Sequence, residues 1–406
     1  MASTSQPVLI AGGGVAGLTA ALALAAEGFR VELFESTQAF AEVGAGLQLS
    51  PNATHILRRL GVLEHLLPYA VQPQAVVLHD AATLRPLTEI PLGPQNANRW
   101  GAPYLVAHRA AVQRALLQTI QPNPQITIRT GVQGVDVAFD RQRLSLSLVG
   151  DNGARTVEGA VLVAADGVWS SLRRFTNGGQ PAESAFSGMT AWRTTLSRAE
   201  VEALGLTRVM SFDRVSTFLD PQAHLVAYPI EAGQALNLVA ITRGTSGGHS
   251  WVQTDGRGAL NAFLATLPQP LRALGSLSNW TRWPLYGAPP RLRWTSDRIA
   301  LIGDAAHAML PFAAQGAATA IEDAAVLATR LGEHRDDPAR ALAAYEAERR
   351  PRIERVLARG RLNRLAWHAA GPVALGRNVV FKLKGPQSLA ADLDWLYGWK
   401  EPRVTG

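Results

Sequence analysis

Val8–Gly17 reads VLIAGGGVAG, and this stretch decides the fold. Its apolar start is typical of a buried strand, and its glycines fit the pattern G-x-G-x-x-G. The first glycine permits a tight turn, the second lets backbone approach a pyrophosphate, and the third lets a helix pack closely on the strand. Ala16–Glu27 then has the composition of a helix, and Val31–Glu35 that of a second strand. The sequence predicts a strand–turn–helix–strand unit that binds a dinucleotide through Gly12, Gly14, Val15, Ala16 and Gly17.

Glu35 ends the second strand of this unit. A carboxylate at that point can accept hydrogen bonds from the hydroxyls of an adenosine ribose. NAD and FAD both carry that ribose, so the motif alone leaves the choice between them open.

Composition bounds the class of protein. The 406 residues suffice for two or three domains. With 47% hydrophobic and 17% charged residues, the chain is not mainly disordered. The lack of cysteine excludes disulfides, thiolate metal sites and a cysteine nucleophile, and we predict no metal site. Cytoplasm is the default compartment that we expect.

The uncharged stretch Val8–Ala26 is long enough to span a membrane. Its four glycines interrupt the apolar run, and the leader Met1–Gln6 has no positive charge. We therefore predict neither a transmembrane helix nor a signal peptide.

The net charge of +7 lies mostly between residues 330 and 406. Seven arginines between Arg349 and Arg364 alternate with Glu346, Glu348 and Glu354 on a helical pattern. Such a pattern is typical of a solvated helix face, and we identify no sustained apolar face beside it. We predict no nucleic-acid binding and no stable membrane association.

The rest of the chain mixes both kinds of element. Asn52 is placed to cap a helix that ends at Gly61. Alternation over Ile126–Val149 and a turn at residues 151–153 predict an antiparallel meander. Short strand patterns fill Ser187–Ile241, which indicates an inserted α+β domain. Buried-strand patterns end at Asp166 and Asp304, and helical patterns cover Gln315–Gly332 and Pro338–His368.

Three further motifs follow the glycine fingerprint in order along the chain. They are His108–Arg109, Asp166–Gly167 with Arg173, and Gly303–His307 with Pro311 and Gln315–Gly316. In this order the chain resembles the class A flavin-dependent aromatic hydroxylases, over nearly its whole length. Five other segments resemble the branch that contains salicylate hydroxylase and 3-hydroxybenzoate 6-hydroxylase, and they are Glu42–Gln48, Ala191–Arg193, Tyr228–Pro229 with Asn237, Ile321–Ala324 and Trp395–Trp399.

The fold class that we expect is α/β, with a Rossmann-like FAD-binding domain, an inserted α+β substrate domain of mainly antiparallel sheet, and C-terminal helices. We assign residues 1–72, 106–175 and 286–330 to the FAD-binding domain. Residues 73–105 and 176–285 form the substrate domain, and residues 331–406 form the C-terminal helical segment.

The resemblance implies a role for each matching residue toward FAD. Glu35 would hold the adenosine ribose, Arg109 would lie along the ribityl–pyrophosphate region, and Asp304 would bind a ribityl hydroxyl. Asp166 would contact FAD and the nicotinamide. The remaining expected contacts are Gln48, Gly316 and Ala317, the last two at a helix N-terminus that favours negative charge on reduced flavin.

The expected catalytic residues are His224, Pro311 and Gln315, with Pro311 closing the loop over the flavin ring. His307 is expected to be a satisfied structural histidine. His224 and Tyr228 share a strand face with Val226 and are expected at the substrate. His224 would polarise a phenol, although a merely packed histidine is the competing interpretation. Arg193 could anchor a carboxylate or lie on the opposite face, and the sequence leaves that choice open.

The function implied by the resemblance is monooxygenation of a small aromatic, a hydroxylated aromatic acid, with NADH or NADPH and dioxygen through a flavin C4a-hydroperoxide. A second dinucleotide fingerprint is absent, so the nicotinamide is expected to bind transiently. One alternative is an epoxidase or quinone-ring hydroxylase with a lipophilic substrate. Another is a flavin-binding regulatory protein without turnover. A homodimer is left open.

Overall fold

The structure is a computed structural model that describes residues 6–40, 46–140, 143–150, 153–246 and 256–401, with the side chain of Asp140 left out. Two sequence predictions fall partly outside these residues. They are the hairpin turn at 151–153 and the start of the motif Glu42–Gln48.

The described residues form both strands and helices. The strands are β1 (Val8–Ala11), β2 (Val31–Phe34), β3 (Gly46–Leu49), β4 (Ala75–Asp80), β5 (Pro86–Pro91), β6 (Leu105–His108), β7 (Ile126–Arg129), β8 (Val132–Asp140), β9 (Arg143–Gly150), β10 (Gly153–Gly159), β11 (Val161–Ala164), β12 (Ala185–Ser197), β13 (Val215–Leu219), β14 (His224–Ile230), β15 (Ala235–Arg243), β16 (Thr281–Gly287), β17 (Thr295–Ser296) and β18 (Ile299–Leu301). The α-helices are α1 (Val15–Ala26), α2 (Pro51–Arg59), α3 (Leu63–Leu66), α4 (Pro94–Trp100), α5 (Arg109–Ile120), α6 (Arg198–Ala203), α7 (Gly258–Thr266), α8 (Asp304–His307), α9 (Gly316–Glu333), α10 (Pro338–Trp367), α11 (Gly371–Ala391) and α12 (Asp394–Tyr397).

A six-stranded sheet of order β17-β18-β11-β1-β2-β7 carries the glycine fingerprint. Its strands are parallel except for the edge pair β17 and β18. The chain leaves β1 toward β2 on one side and later returns to β11 on the other. Ligands bind in such sheets at this switch point, beyond the carboxyl ends of the strands. The glycine turn that follows β1 lies there, and α1, α5 and α9 belong to the core cluster beside it.

A seven-stranded sheet of order β16-β12-β15-β14-β13-β4-β5 stands next to the first. It is antiparallel apart from the pair β13 and β4. One face is covered by α7 and a 3₁₀-helix, Leu271–Ser276, in an apolar cluster that includes Trp192. The opposite face carries His224 and Tyr228 into a cavity. The predicted α/β class with a mainly antiparallel second sheet is thus confirmed.

Two smaller sheets complete the fold. Strands β8, β9 and β10 form an antiparallel meander in which Gly150 pairs with Gly153, as the alternating pattern predicts. The prediction is wrong for Ile126–Arg129 at the start of that pattern, because β7 pairs in parallel with β2 at the edge of the six-stranded sheet. Strands β3 and β6 pair as an antiparallel ribbon.

The predicted N-cap of α2 is wrong. The helix begins at Pro51, and Ser50 has the extended backbone of an N-cap. Proline is favoured at the first helical position because its missing N–H would have no partner there. Asn52 therefore lies inside the first turn, where its side chain is buried.

The prediction that the arginine run is a solvated helix face is wrong for part of α10. Arg349 is completely buried, and the side chain of Arg352 is only 9% exposed. Both form ion pairs with the side chain of Glu322 in α9. The carboxylate of Glu322, which is distant in sequence, compensates for the lost hydration of the two guanidinium groups and so allows these arginines to be buried.

The C-terminal helices also expose large apolar side chains, contrary to the sequence analysis. They are Leu362, Leu365, Val373, Leu375, Val379, Val380 and Leu383. Among the described residues, no helix is both long and apolar enough to cross a bilayer.

Candidate active site

A cavity of about 300 Å³ lies between the carboxyl ends of the parallel sheet and the open face of the seven-stranded sheet. Most of the residues singled out from the sequence line it together. They are Gly14, Val15, Ala16, Gln48, Arg109, Arg193, His224, Tyr228, Asp304, Pro311, Gly316 and Ala317. Five others, Gly12, Gly17, Glu35, Asp166 and Gln315, are not among the residues of this lining.

The three fingerprint glycines have different structural roles. Gly12 has φ +108°, and a Cβ atom there would lie 2.3 Å from the carbonyl oxygen of Ala165. A Cβ atom on Gly17 would lie 1.9 Å from the carbonyl oxygen of Gly12. At Gly14, by contrast, an added Cβ would meet no described atom within 4 Å. Gly12 and Gly17 therefore permit packing within the protein, whereas Gly14 leaves space on the cavity side.

Glu35 holds the glycine turn from behind. Its Oε2 accepts a hydrogen bond of 2.6 Å from the backbone N–H of Gly13, and its Oε1 accepts one of 2.8 Å from Thr37. The carboxylate is thus fixed at the carboxyl end of β2. Its contact with an adenosine ribose stays a prediction.

The part of the cavity beside Gly14, Gly167 and Gly316 has the features expected of a flavin dinucleotide site. As at Gly14, a Cβ atom added at Gly167 or Gly316 would meet no described atom within 4 Å, although the φ of +79° at Gly167 itself favours glycine. Asp166 Oδ1 is buried and has no hydrogen-bond partner among the described residues, and burial raises the pKa of this carboxyl. Together these three open glycines and one unsatisfied acid form a cradle that a ligand with donor groups would complete.

Arg173, which follows Asp166 along the chain, fixes the backbone of the turn at Asp304. It is 1% exposed, and its guanidinium donates to the carbonyl oxygens of Ala305 at 2.6 Å and Asp304 at 2.8 Å. The backbone at Asp304 is thereby held, while the exposed Asp304 side chain faces the cavity.

The side chain of Gln315 points away from the cavity. It is 1% exposed, its Nε2 donates to Ser50 Oγ at 3.0 Å, and its Oε1 accepts from Asn52 Nδ2 at 3.2 Å. Only the next two residues, Gly316 and Ala317, reach the lining. The position can act on a cavity ligand through the N-terminal end of α9, whose free N–H groups favour negative charge.

A buried ionic cluster supports this end of α9. Asn52 Nδ2 also donates to Glu322 Oε1 at 2.5 Å, and Glu322 pairs with Arg349 at 2.7 Å. Arg349 pairs in turn with Asp323 at 2.8 Å. Nothing local in the sequence signals this cluster, because its members lie on three separate helices.

Asp323 is the partner of His307. Their side chains are 2.5 Å apart, both buried, and Asp323 Oδ2 also accepts from the N–H of Gly303. Burial alone would raise the pKa of Asp323, but His307 and then Arg349 outweigh it and lower the pKa to about 2. This contact agrees with the predicted structural role of His307, but its Nδ1 is buried without a hydrogen-bond partner among the described residues, so the ring is not fully satisfied.

His224 on β14 lines the cavity and is only 1% exposed. Its Nδ1 lies 3.0 Å from Nε2 of His368, which follows α10. Burial, and then His368, lower the pKa of His224 to about 3, so the ring is neutral at physiological pH. The sequence analysis missed His368 because it is 144 residues distant and carries no motif.

Arg193 lines the cavity and so does not lie on the opposite face of the sheet, whereas its contact with a carboxylate stays a prediction. Its guanidinium carbon is 5.2 Å from the ring centre of Trp283, and its Nε is buried without a hydrogen-bond partner among the described residues. Burial lowers the pKa of Arg193, and Tyr228 opposes that shift. Burial raises the pKa of Tyr228, so its hydroxyl stays protonated.

The fold and the glycine cradle together define a protein with a Rossmann-like dinucleotide site. A family profile described as "FAD binding domain" matches residues 5–360. The chain belongs to this family, and the predicted resemblance to class A flavin-dependent aromatic hydroxylases, with FAD as cofactor, is confirmed.

Curated relatives cover almost the entire chain. The 3-hydroxybenzoate 6-hydroxylase of Klebsiella oxytoca is 33% identical over 97% of this chain and 96% of its own length. The enzyme of the same name from Polaromonas naphthalenivorans is 32% identical over the same shares. A 3-amino-4-hydroxybenzoate 2-monooxygenase of Streptomyces platensis is 32% identical over 99% of this chain and 98% of its own length.

Solved structures share the fold. A salicylate hydroxylase substrate complex has a TM-score of 0.80 at 22% identity, covering 99% of this chain and 100% of the other. Klebsiella pneumoniae HpxO complexed with FAD and uric acid has a TM-score of 0.80 at 23% identity, covering 95% of both chains.

Proposed function

We propose that this chain hydroxylates a hydroxylated aromatic acid, taking electrons from NADH or NADPH and one oxygen atom from dioxygen. The observation that carries the proposal is an unpaired guanidinium, Arg193, in one cavity with a neutral imidazole, His224. A carboxylate would form an ion pair with the guanidinium of Arg193, and a phenol would donate a hydrogen bond to the imidazole of His224. The curated relatives are named for hydroxybenzoates, which carry both substituents.

FAD would occupy the cradle. Gly14, Gly167 and Gly316 give it space, Arg109 would face its pyrophosphate, and Asp304 would accept from its ribityl hydroxyls. Bound FAD supplies the redox chemistry, accepting a hydride from the nicotinamide and activating dioxygen. The N-terminal end of α9 would stabilise negative charge on the flavin by about 1 kcal/mol.

Arg193 would anchor the substrate carboxylate. A buried cation without an anionic partner is unfavourable, and a bound carboxylate removes that penalty through charge-assisted hydrogen bonds. Trp283 under the guanidinium fixes its plane. The anchor thus sets which ring carbon of the substrate faces the flavin.

His224 would accept the phenolic hydrogen bond at Nε2, because His368 already occupies Nδ1. A more electron-rich phenol raises the nucleophilicity of the ring. Tyr228, protonated and packed against the backbone of Gly46, can donate to the same oxygen. Phe312 and Trp367 flank His224, with ring centres 5.2 and 5.0 Å from its own, and help to exclude water.

A second candidate is a monooxygenase with a lipophilic substrate. An apolar cavity of about 440 Å³ adjoins the first one and shares Gln48, Val226, Pro311 and Ala314 with it. Its remaining walls, from β4, β5, β13, α10, α11 and α12, are mainly apolar. A quinone or polycyclic ring could extend into that space. The named relatives are enzymes, which disfavours a regulatory protein without turnover.

We retain three further proposals. The division into residues 1–72, 106–175 and 286–330, residues 73–105 and 176–285, and residues 331–406 is supported by sheet membership, since β4 and β5 pair with strands from 185–287. The cytoplasm, which supplies NAD(P)H, is the proposed compartment. A homodimer stays a prediction, to be checked by light scattering.

The test is NAD(P)H oxidation with purified holoenzyme and a substrate panel, with product and hydrogen peroxide measured together. The panel pairs 3-hydroxybenzoate and salicylate with 3-methylphenol, which lacks the carboxylate, and with a naphthoquinone. Product from the acids alone supports the proposal. Product from the quinone alone would favour the second candidate.

A further inference from the structure

His224, in the cavity lining, contacts a second histidine, His368, that is less deeply buried. His224 is buried in the cavity, whereas His368 is partly exposed at the end of α10. Their ring nitrogens are 3.0 Å apart, which is hydrogen-bonding distance. Each imidazole has a second ring nitrogen outside this contact, Nε2 of His224 and Nδ1 of His368.

We propose that His224 and His368 form a two-imidazole relay that carries the phenolic proton of the substrate between the cavity and solvent. The inference rests on the proposed function, because it needs a bound phenol. It assigns a role to His368, which touches neither substrate nor cofactor and acts as a positioning residue through His224.

The proton count balances without a co-reactant. Initially Nδ1 of each ring carries a hydrogen, and both Nε2 atoms are bare. The phenol O–H breaks and its proton bonds to His224 Nε2, while the Nδ1 proton of His224 moves to His368 Nε2 and the Nδ1 proton of His368 leaves to water. Both rings end neutral, as the opposite tautomers. The reverse sequence returns one proton to the product and restores the first tautomers.

The surroundings keep both rings neutral, which a relay requires. Burial, and then Arg364, lower the pKa of His368, and Arg243 adds to this effect while Asp220 opposes it. These groups come from α10, the end of β15 and the turn before β14. Because neither ring holds a lasting charge, the tautomers alone set the direction of transfer: after an outward transfer both Nε2 atoms carry a hydrogen, and the next proton must enter from the solvent side.

The test is a stopped-flow pH jump on oxidised holoenzyme without NAD(P)H, using 3-hydroxy-4-nitrobenzoate as a probe. Its phenolate is coloured, so absorbance reports deprotonation of the bound phenol. In His368→Gln, FAD content and probe affinity should stay within about twofold of wild type, whereas deprotonation should slow by about tenfold or more. His65→Gln, on an exposed histidine elsewhere, is the matched control.

A second variant, His368→Gly, tests the relay if His368→Gln folds poorly. His368→Gly opens space at a partly exposed position, and imidazole added to the buffer should restore the deprotonation rate. A wild-type rate in His368→Gln, or no effect of imidazole on a slow His368→Gly, would overturn the relay alone. If wild-type holoenzyme binds no probe, both the relay and the proposed function fail.

Discussion

Replacing Arg349 with methionine tests the buried cluster that supports the N-terminal end of α9. The change removes a charge while keeping most of the side-chain volume. It leaves Glu322 and Asp323, both completely buried, without their shared partner. Breaking a buried pair in this way costs about 3–5 kcal/mol.

We expect the loss of stability in Arg349→Met to lie near the lower end of that range, because each acid keeps another partner. Asp323 keeps His307 at 2.5 Å, and Glu322 keeps Arg352 at 2.6 Å. We therefore expect the free energy of unfolding of Arg349→Met to fall by about 3 kcal/mol. Urea unfolding of holoenzyme at fixed FAD concentration measures it, and Arg361→Met, an exposed arginine on the same helix, is the control.

The difference in the free energy of unfolding between wild type and Arg349→Met should become smaller as the pH falls. The pKa of Asp323 is about 2 in the folded protein, below the unfolded value of about 3.9. Its ionic stabilisation is present above the unfolded pKa and is lost as pH falls through the folded one. The gap between wild type and Arg349→Met should thus shrink from about pH 4 to about pH 2. A loss below about 1 kcal/mol at neutral pH, equal to the control, would refute the reasoning.

Two further predictions concern cofactor and substrate. Gly14→Val should reduce FAD occupancy, since its side chain would enter the open space of the cradle, while far-ultraviolet circular dichroism stays close to wild type; normal FAD affinity would show that the turn is only structural. His224→Ala should leave FAD bound but lower hydroxylation by roughly 10²-fold, with more hydrogen peroxide per NAD(P)H and partial recovery at alkaline pH. An unchanged ratio of product to peroxide at saturating substrate would remove His224 from the mechanism.

The parts of the fold that follow from local physics could be predicted from the sequence. The glycine turn needs residues without Cβ atoms at Gly12 and Gly17, and the apolar run before it needs a buried strand. Period-two alternation likewise put His224 and Tyr228 on one face of β14.

What could not be predicted depends on contacts between distant segments. Asn52 has the composition of a cap, but Ser50 and Pro51 start the helix and free Asn52 to join Gln315 and Glu322. A charge run such as that of α10 normally faces solvent, and burial of Arg349 depends on acids from α9. His368 shows no sequence signal because its partner lies across the cavity wall.

The central claim is that the cavity selects an aromatic acid through Arg193. The measurement is kcat/KM for product formation from 3-hydroxybenzoate and from its neutral analogue 3-hydroxybenzamide, in wild type, Arg193→Met and the control Arg282→Met. Loss of one partner of a buried charge pair costs about 2–5 kcal/mol, so wild type should prefer the acid by roughly 30-fold or more. Arg193→Met should lose that preference, and Arg282→Met should keep it. Equal rates with acid and amide in wild type, or an unchanged preference in Arg193→Met, would contradict the account.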